Sequence, residues 1–281
     1  MLSPVAYESL IDIALREDLG SGDITTEATV EVGTRAKADA VARGPVVVCG
    51  GDIFAAVFRR IDPRVACSVM VADGEMVGRG SAIWRVKGEA RSLLGAERVA
   101  LNFVQRLSGI ATLTRAFVDA IPSGCSTRIA DTRKTTPGLR VLERYAVRVG
   151  GGHNHRDCLG SAVLIKDNHI VAAGGITAAV TRARAYAPHT TRVELEVDTL
   201  VQLDEALDVG ADIIMLDNFS VEDTRIAVQR AKGRAVLEVS GGVSVDCVAE
   251  VARLGVDVIS VGALTHSAKA ADIGLDMELE P

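Results

Sequence analysis

Two basic stretches carry the densest chemistry in this sequence. One is Asp131-Thr132-Arg133-Lys134-Thr135-Thr136-Pro137-Gly138 and the other is Gly150-Gly151-Gly152-His153-Asn154-His155-Arg156. With Lys166 they supply Arg133, Lys134, His155, Arg156 and a second lysine. Guanidinium forks grip carboxylates and phosphates through paired hydrogen bonds, and a lysine adds a point charge. The chain as a whole is acidic, with 31 Lys and Arg against 37 Asp and Glu and a net charge of -6. A cluster of cations in such a chain suggests a pocket for a polyanion. A solvated basic face is the alternative, but the Gly, Thr and Asn around these cations make unusual loops for one. The acidic balance argues against general nucleic-acid binding, which needs an extended basic surface.

Polar residues also close a series of apolar runs. Ala162-Val163-Leu164-Ile165 ends in Lys166-Asp167-Asn168-His169, and Ile213-Ile214-Met215-Leu216 ends in Asp217-Asn218. Leu237-Glu238-Val239 ends in Ser240-Gly241-Gly242, and Ile259-Ser260-Val261 ends in Gly262-Ala263-Leu264-Thr265. Val193-Glu194-Leu195-Glu196-Val197 alternates, so a strand there places both carboxylates on one face. Ligands of α/β folds bind at the carboxyl ends of strands. One polar strand end merely meets solvent; five in succession point to a site. The Gly-rich ends let backbone N–H groups approach a phosphate closely, although turn glycines would look the same singly. His153 and His155 could also form a His-x-His metal pair in a hydrolase. That needs further ligands. Lys166, Glu196 and Asp217 are available at strand ends, whereas His169, His189 and His266 are not obviously placed to help.

The elements that must hold these residues follow from composition and pattern. A chain of 281 residues allows one barrel-sized domain or two domains. It is 48% hydrophobic but only 3% aromatic, so its core rests on Ala, Val, Leu and Ile, which suits buried parallel strands. Ser3-Pro4 predicts a helix start, with Leu10, Ile13 and Ala14 on the buried face and an end near Asp18-Leu19-Gly20. Short alternating segments at 36–41, 46–49 and 83–86 predict a strand-rich region. Residues 93–121 read as a long helix, with Ser108-Gly109 as a candidate break. After about Thr127, strand-like runs alternate with helical patterns at 200–209, 221–231 and 245–254. A faint repeat, Val209-Gly210-Ala211-Asp212-Ile213-Ile214 against Leu254-Gly255-Val256-Asp257-Val258-Ile259, reads as helix end, Gly cap and buried strand. It favours a β/α barrel, and a doubly wound sheet also fits. The five scattered cysteines read as reduced thiols. With no basic leader and no apolar run approaching the ~18 residues of a membrane span, a cytoplasmic protein is expected.

Taken in order, these segments resemble the quinolinate phosphoribosyltransferase family along nearly the whole chain. The match runs through Glu17-Asp18-Leu19-Gly20-Ser21-Gly22-Asp23-Ile24-Thr25-Thr26, Glu97-Arg98-Val99-Ala100-Leu101-Asn102 and Gln105-Arg106-Leu107-Ser108-Gly109-Ile110-Ala111-Thr112. It continues through the 131–138 stretch, the most specific of the set, then Gly152-His153-Asn154-His155-Arg156, Ile165-Lys166-Asp167-Asn168-His169 and Leu216-Asp217-Asn218. The resemblance implies an α/β protein with an N-terminal α/β sandwich, 1–112, and a C-terminal open β/α barrel, 113–281, of the type II phosphoribosyltransferase kind. Whether the tail from about Ala268 returns to the N-terminal domain is left open. A homodimer at least is implied, with the partner's N-terminal domain closing the site.

The implied reaction, a step of de novo NAD biosynthesis, joins quinolinate to 5-phosphoribosyl-1-pyrophosphate (PRPP). Its products are nicotinate mononucleotide, pyrophosphate and carbon dioxide, and Mg²⁺ is the expected metal. By resemblance, Arg133, Arg156, Lys166 and Arg98 of the partner subunit bind carboxylates or nearby phosphates. Thr132, Lys134 and His155 border the same pocket. Lys134, Glu196 and Asp217 are the expected catalytic residues, and Glu196 and Asp217 hold Mg²⁺, directly or indirectly, or the ribose hydroxyls. Ser240, Gly241 and Gly242, with Val261, Gly262 and Ala263, cradle the 5-phosphate. Three other readings stand beside this one: a paralogue of the same fold acting on another aromatic acid or associated with metal utilisation, a metal-dependent hydrolase built on His153 and His155, and a non-catalytic metabolite binder. The complete Thr132-Arg133-Lys134 and His155-Arg156 sets argue against the first.

Overall fold

Alternating small apolar residues make the first sheet. The computed structural model describes residues 2–280. After a 3-10 turn at Pro4–Ala6 come α1 (Glu8–Leu19), α2 (Ile24–Thr29), β1 (Arg35–Ala42), β2 (Val46–Val47) and α3 (Gly51–Ile61). Then follow β3 (Ala66–Val69), β4 (Met76–Val77), β5 (Ala82–Glu89) and α4 (Ala90–Asp119). The rest alternates: β6 (Arg128–Ala130), α5 (Arg140–Val149), β7 (Val163–Ile165), α6 (Asp167–Ala173), α7 (Ile176–Tyr186), β8 (Val193–Val197) and α8 (Leu200–Asp208). It ends with β9 (Ile213–Asp217), α9 (Val221–Ala231), β10 (Val236–Ser240), α10 (Val245–Arg253), β11 (Val258–Ser260), α11 (Ala263–His266) and β12 (Ile273–Leu279). Contacts divide the chain into two units, neither continuous in sequence. One takes in residues up to 115, 135–151 and those from 264 onward; the other holds 116–134 and 152–263.

In the first unit Ala36, Ala38, Ala40 and Ala42 form the buried face of β1. The strand pairs antiparallel with β5 and with the C-terminal β12, giving the order β12-β1-β5-β3. Phe54, Phe58 and Trp84 concentrate much of the scarce aromatic surface here, with ring centroids 4.9 and 5.0 Å apart. The N-terminal helix departs from expectation. Pro4 opens only the 3-10 turn, and the α-helix begins at Glu8. Its buried stripe is Tyr7, Ile11 and Leu15, whereas Ile13 is exposed. Spacing by four puts these three side chains on one face, and that face meets the core.

The break expected at Ser108-Gly109 is also corrected, because α4 runs through it. The Ser108 hydroxyl accepts the Cys49 N–H at 3.1 Å and donates to the Cys49 carbonyl at 3.2 Å. Gly109 lies where the chain near residue 269 passes over the helix: a Cβ there would sit 2.0 Å from the Lys269 carbonyl oxygen. Beside it the Gln105 carbonyl accepts the Ala271 N–H at 2.8 Å, and the Gln105 amide donates to the Ile273 carbonyl at 2.7 Å. The glycine therefore serves a close approach of backbones. Gly109→Ala should cost roughly 1–3 kcal/mol, as overpacking does, despite the ~1 kcal/mol that Ala gains over Gly in a helix. Thermal melting checks this; an unchanged or raised Tm would show that the tail moves away without penalty.

The second unit is a six-stranded parallel sheet in the order β6-β11-β10-β9-β8-β7. Its first strand lies beside its last, as barrel closure requires, whereas a doubly wound sheet reverses direction at its middle. Among the described residues β6 and β7 do not pair, and only His153 bridges to Ala130 along β6. The barrel is open at that seam. The sequence repeat has a structural cause. Gly210 and Gly255 adopt φ of +75° and +90°, and the following Asp212 and Asp257 accept the N–H groups of Val193 and Leu237, each at 2.8 Å. Each aspartate thus ties the start of its strand to a neighbouring strand. Among the described residues all five cysteines are free, and no helix is long and apolar enough to cross a membrane.

Candidate active site

The carboxyl ends of β7 to β11, with the loop after β6, surround a cavity of about 380 Å³ in the second unit. That size suits a small-molecule ligand. Arg133, Lys134, Arg156 and Lys166 line it, as do Thr132 and His155. Glu196, Asp217 and Ser240 face the same space. Gly241, Gly242, Val261, Gly262 and Ala263 follow the ends of β10 and β11 but do not belong to the cavity wall. Arg98 is exposed on α4 of the first unit.

Local hydrogen bonds explain why the motif residues occur together. Fully buried Asp131 accepts the His155 N–H at 2.7 Å and an amide hydrogen of Asn154. The backbone alongside is tied by Asp131 N–H to His153 O at 3.0 Å and His153 N–H to Ile129 O at 2.8 Å. One aspartate thus fastens the second basic stretch to the first. At the end of β7, the Lys166 N–H donates to His169 Nδ1 at 3.0 Å, so His169 caps α6. The Lys166 ammonium pairs with Glu196. Glu194 and Glu196 share the inward face of β8, as alternation predicts. Asp217 accepts from the Asn218 amide at 2.8 Å. Asn218 and Gly241 are both left-handed, at φ of 54° and 94°, and a Cβ on Gly241 would lie 2.1 Å from Asn218 Oδ1. Only glycine fits there, whatever the loop binds.

The cations crowd one another. Burial, and then the charge of Arg133, hold the Arg156 guanidinium below its ordinary pKa. Two guanidinium groups under mutual repulsion are relieved by an anion between them. Beneath them lies a group that the sequence reading missed as a site: Glu194, Glu238 and Ser260, gathered around His155. His155 Nδ1 accepts the Arg156 N–H at 2.8 Å, so its hydrogen is assigned to Nε2. Nε2 faces Glu194 Oε2 at 3.1 Å and Glu238 Oε1 at 3.5 Å. Burial, and then the Glu194 charge, raise the Glu238 pKa to about 7. For His155 burial opposes the charged form, but Glu194, Glu238 and Asp131 outweigh it and raise its pKa. The sequence did carry a signal, a glutamate two residues before the end of an apolar strand, where its side chain must point into the barrel.

His155, Glu194 and Glu238 have ligand atoms within 4.8 Å of one another, spacing that a metal could use. This set, not the His153–His155 pair, is the one the fold assembles, and His153 is exposed. A metal would need the Nε2 lone pair, with Nδ1 donating to a neighbour. The Arg156 N–H imposes the opposite tautomer, so the group is arranged to hold a proton.

The family model described as quinolinate phosphoribosyl transferase, C-terminal domain, matches residues 110–276, and the N-terminal domain model matches 23–108. The chain belongs to the quinolinate phosphoribosyltransferase family. This family member is 47% identical over 286 residues to the nicotinate-nucleotide pyrophosphorylase [carboxylating] of Mycobacterium leprae, covering 99% of this chain and 100% of that one. To the probable enzyme of that name from Bacillus subtilis it is 41% identical, with 99% and 96% covered. The crystal structure of NadC from Streptococcus pyogenes superposes with a TM-score of 0.96 at 41% identity, covering 100% of this chain and 99% of that one. The fold extends to human nicotinic acid phosphoribosyltransferase, at TM-score 0.66 and 14% identity over 98% of this chain and 74% of that one.

Proposed function

We propose that this chain transfers the phosphoribosyl group of PRPP to the ring nitrogen of quinolinate. The 2-carboxylate leaves as carbon dioxide, and nicotinate mononucleotide and pyrophosphate are released. The observation that carries this reading is the convergence of four cations on one cavity, two of them repelling guanidinium groups. A planar dicarboxylate relieves that repulsion. Relatives in Mycobacterium leprae and Nicotiana glauca are named for the two directions of this reaction.

In this reading Arg133 and Arg156 hold the quinolinate carboxylates, and Lys166 and His155 complete that wall beside Thr132. Lys134, which is exposed at the rim, offsets charge on the departing pyrophosphate. Glu196 and Asp217 stabilise the electron-poor ribose carbon and bind its hydroxyls. They also fit Mg²⁺: both put hard oxygen donors on one cavity wall, and Mg²⁺ commonly takes one or two carboxylates together with substrate phosphates. Bound there, the ion would neutralise pyrophosphate charge. Ser240, Gly241, Gly242, Gly262 and Ala263 receive the 5-phosphate. Val261 contributes shape alone, since its N–H already donates to the Ala130 carbonyl at 2.9 Å. No protein nucleophile is needed. We further propose a cytoplasmic homodimer in which Arg98 of the partner subunit completes the cavity, and a boundary near residue 112 between the N-terminal and catalytic parts.

The deciding assay supplies purified protein with quinolinate, PRPP and Mg²⁺ and follows nicotinate mononucleotide and carbon dioxide, with nicotinate as a parallel substrate. Turnover of quinolinate alone is expected. A folded protein that makes no product would leave the family and fold intact and shift the function to another aromatic acid or to simple metabolite binding.

A further inference from the structure

The reaction proposed above leaves one proton without a source. When the 2-carboxylate departs, the electron pair of the broken C–C bond stays on ring carbon 2, beside the cationic ring nitrogen. That carbon carries hydrogen in nicotinate mononucleotide, so an acid must act at that place. The guanidinium groups of Arg133 and Arg156 are too weak as acids, and the Lys166 ammonium is engaged by Glu196.

We propose that Glu238 is this acid and delivers its carboxyl proton to ring carbon 2, an assignment that rests on the quinolinate reading of the cavity. Glu238 lines the cavity yet is only 3% exposed. Its Oε1 lies 3.5 Å from His155 Nε2 with the Ser260 hydroxyl beside the carboxyl, and neither Oε1 nor Ser260 Oγ makes a hydrogen bond of good geometry among the described residues. In the sheet register Glu238 pairs with Met215 and Val258, whereas Ser240 pairs with Asp217 and Ser260. The acid therefore sits one layer beneath the strand-end residues, at the floor of the cavity. The groups facing it are Glu194 from β8, His155 from the loop after β6 and the Ser260 hydroxyl from β11. The other charges lining the cavity are Arg133, Lys134, Arg156, Lys166, Asp217 and Glu196, the last level with Glu238 through Met215.

The division of labour between the two buried carboxyls follows from geometry. The Nε2 hydrogen of His155 goes to Glu194, which is the nearer carboxylate. A second anion beside it in a buried site is strongly disfavoured, so Glu238 retains its proton. Its raised pKa, near 7 through burial and the Glu194 charge, agrees with this. In the step itself the Glu238 O–H bond breaks, the C–H bond forms on carbon 2, and Glu238 is left as carboxylate. Water returns the proton after product leaves, so the net reaction draws one proton from solvent.

Glu238→Gln keeps the shape and removes the acid. Its kcat should fall roughly 10²–10⁴-fold, the usual range for a general acid, with KM for quinolinate and PRPP changed by no more than about threefold. Wild-type kcat should decline as pH rises through about 7, because the acid form is lost, and the Gln variant should lack that decline. Glu238→Asp should recover part of kcat and restore the decline; it carries the test if the Gln variant does not fold. A Gln variant within about tenfold of wild type, or one that is slow but retains the decline near pH 7, overturns the proposal. A KM rise that accounts for the loss does so as well. A wild type inert toward quinolinate overturns the earlier reading and this one with it. An active wild type with an unimpaired Gln variant overturns this one alone.

Discussion

Arg133→Ala is expected to lower kcat/KM for quinolinate by roughly 10²–10⁴-fold while leaving the folded protein intact. The magnitude follows from breaking a desolvated charge pair, about 3–5 kcal/mol, at 1.36 kcal/mol per tenfold in rate. Stability should behave differently. Arg133 adds to the factors that hold down the Arg156 pKa, so the two cations repel. Removing one relieves that repulsion and should leave Tm nearly unchanged. A large activity loss with an unchanged Tm is the signature of a residue kept for its ligand. Arg133→Lys should fall between, since it keeps charge but loses the planar fork. Steady-state kinetics with varied quinolinate, beside thermal melts, measures both quantities. Activity within a few-fold of wild type for Arg133→Ala would remove this residue from the dicarboxylate site.

What could be read from sequence was what depends on local period. The alternation of Val193-Glu194-Leu195-Glu196-Val197 places both glutamates on the barrel interior, and the structure puts them there. The repeated Gly-x-Asp pattern at 210–212 and 255–257 marks a repeated βα unit because Asp212 and Asp257 do the same job. The basic motifs could be read as one pocket because residue types so expensive to crowd together are seldom crowded without a ligand. What escaped depends on partners distant in sequence. Nothing near Gly109 reveals that the backbone at Lys269 will press against it, so a glycine required by contact resembled a helix break. Glu238 is one carboxylate in an apolar strand, and it acquires meaning only once β8 and the His155 loop bring Glu194 and His155 to it. The orientation of α1 also turned on which of two overlapping apolar stripes met the core, and local pattern did not decide between them.

The same nonlocal logic gives the largest stability effect expected in the first unit. Glu143 on α5 is fully buried, and its carboxylate accepts from Arg106 Nε at 3.0 Å and Nη2 at 2.8 Å, and from the Thr136 hydroxyl at 2.7 Å and N–H at 3.1 Å. Arg106 also donates to the carbonyls of Ala268, at 2.9 Å, and Thr265. One guanidinium thus joins α4, α5 and the chain leading to β12. Arg106→Met strands a buried carboxylate and should cost about 3–5 kcal/mol, or roughly 6–20 °C of Tm at the ~2–4 °C per kcal/mol of larger domains. If the cost is mainly that stranded charge, Arg106→Met combined with Glu143→Met should recover much of it, because burying two apolar side chains is far less costly than burying one unpaired anion. The bonds to Ala268 and Thr265 are lost in the single and the double variant alike, so the difference between them isolates the charge. Thermal and urea unfolding of the two single variants and the double closes the cycle. Losses that simply add would mean that Glu143 draws its compensation from Thr136 and not from Arg106, and that this arginine in the Gln105-Arg106-Leu107-Ser108-Gly109 motif serves mainly to anchor the C-terminal chain.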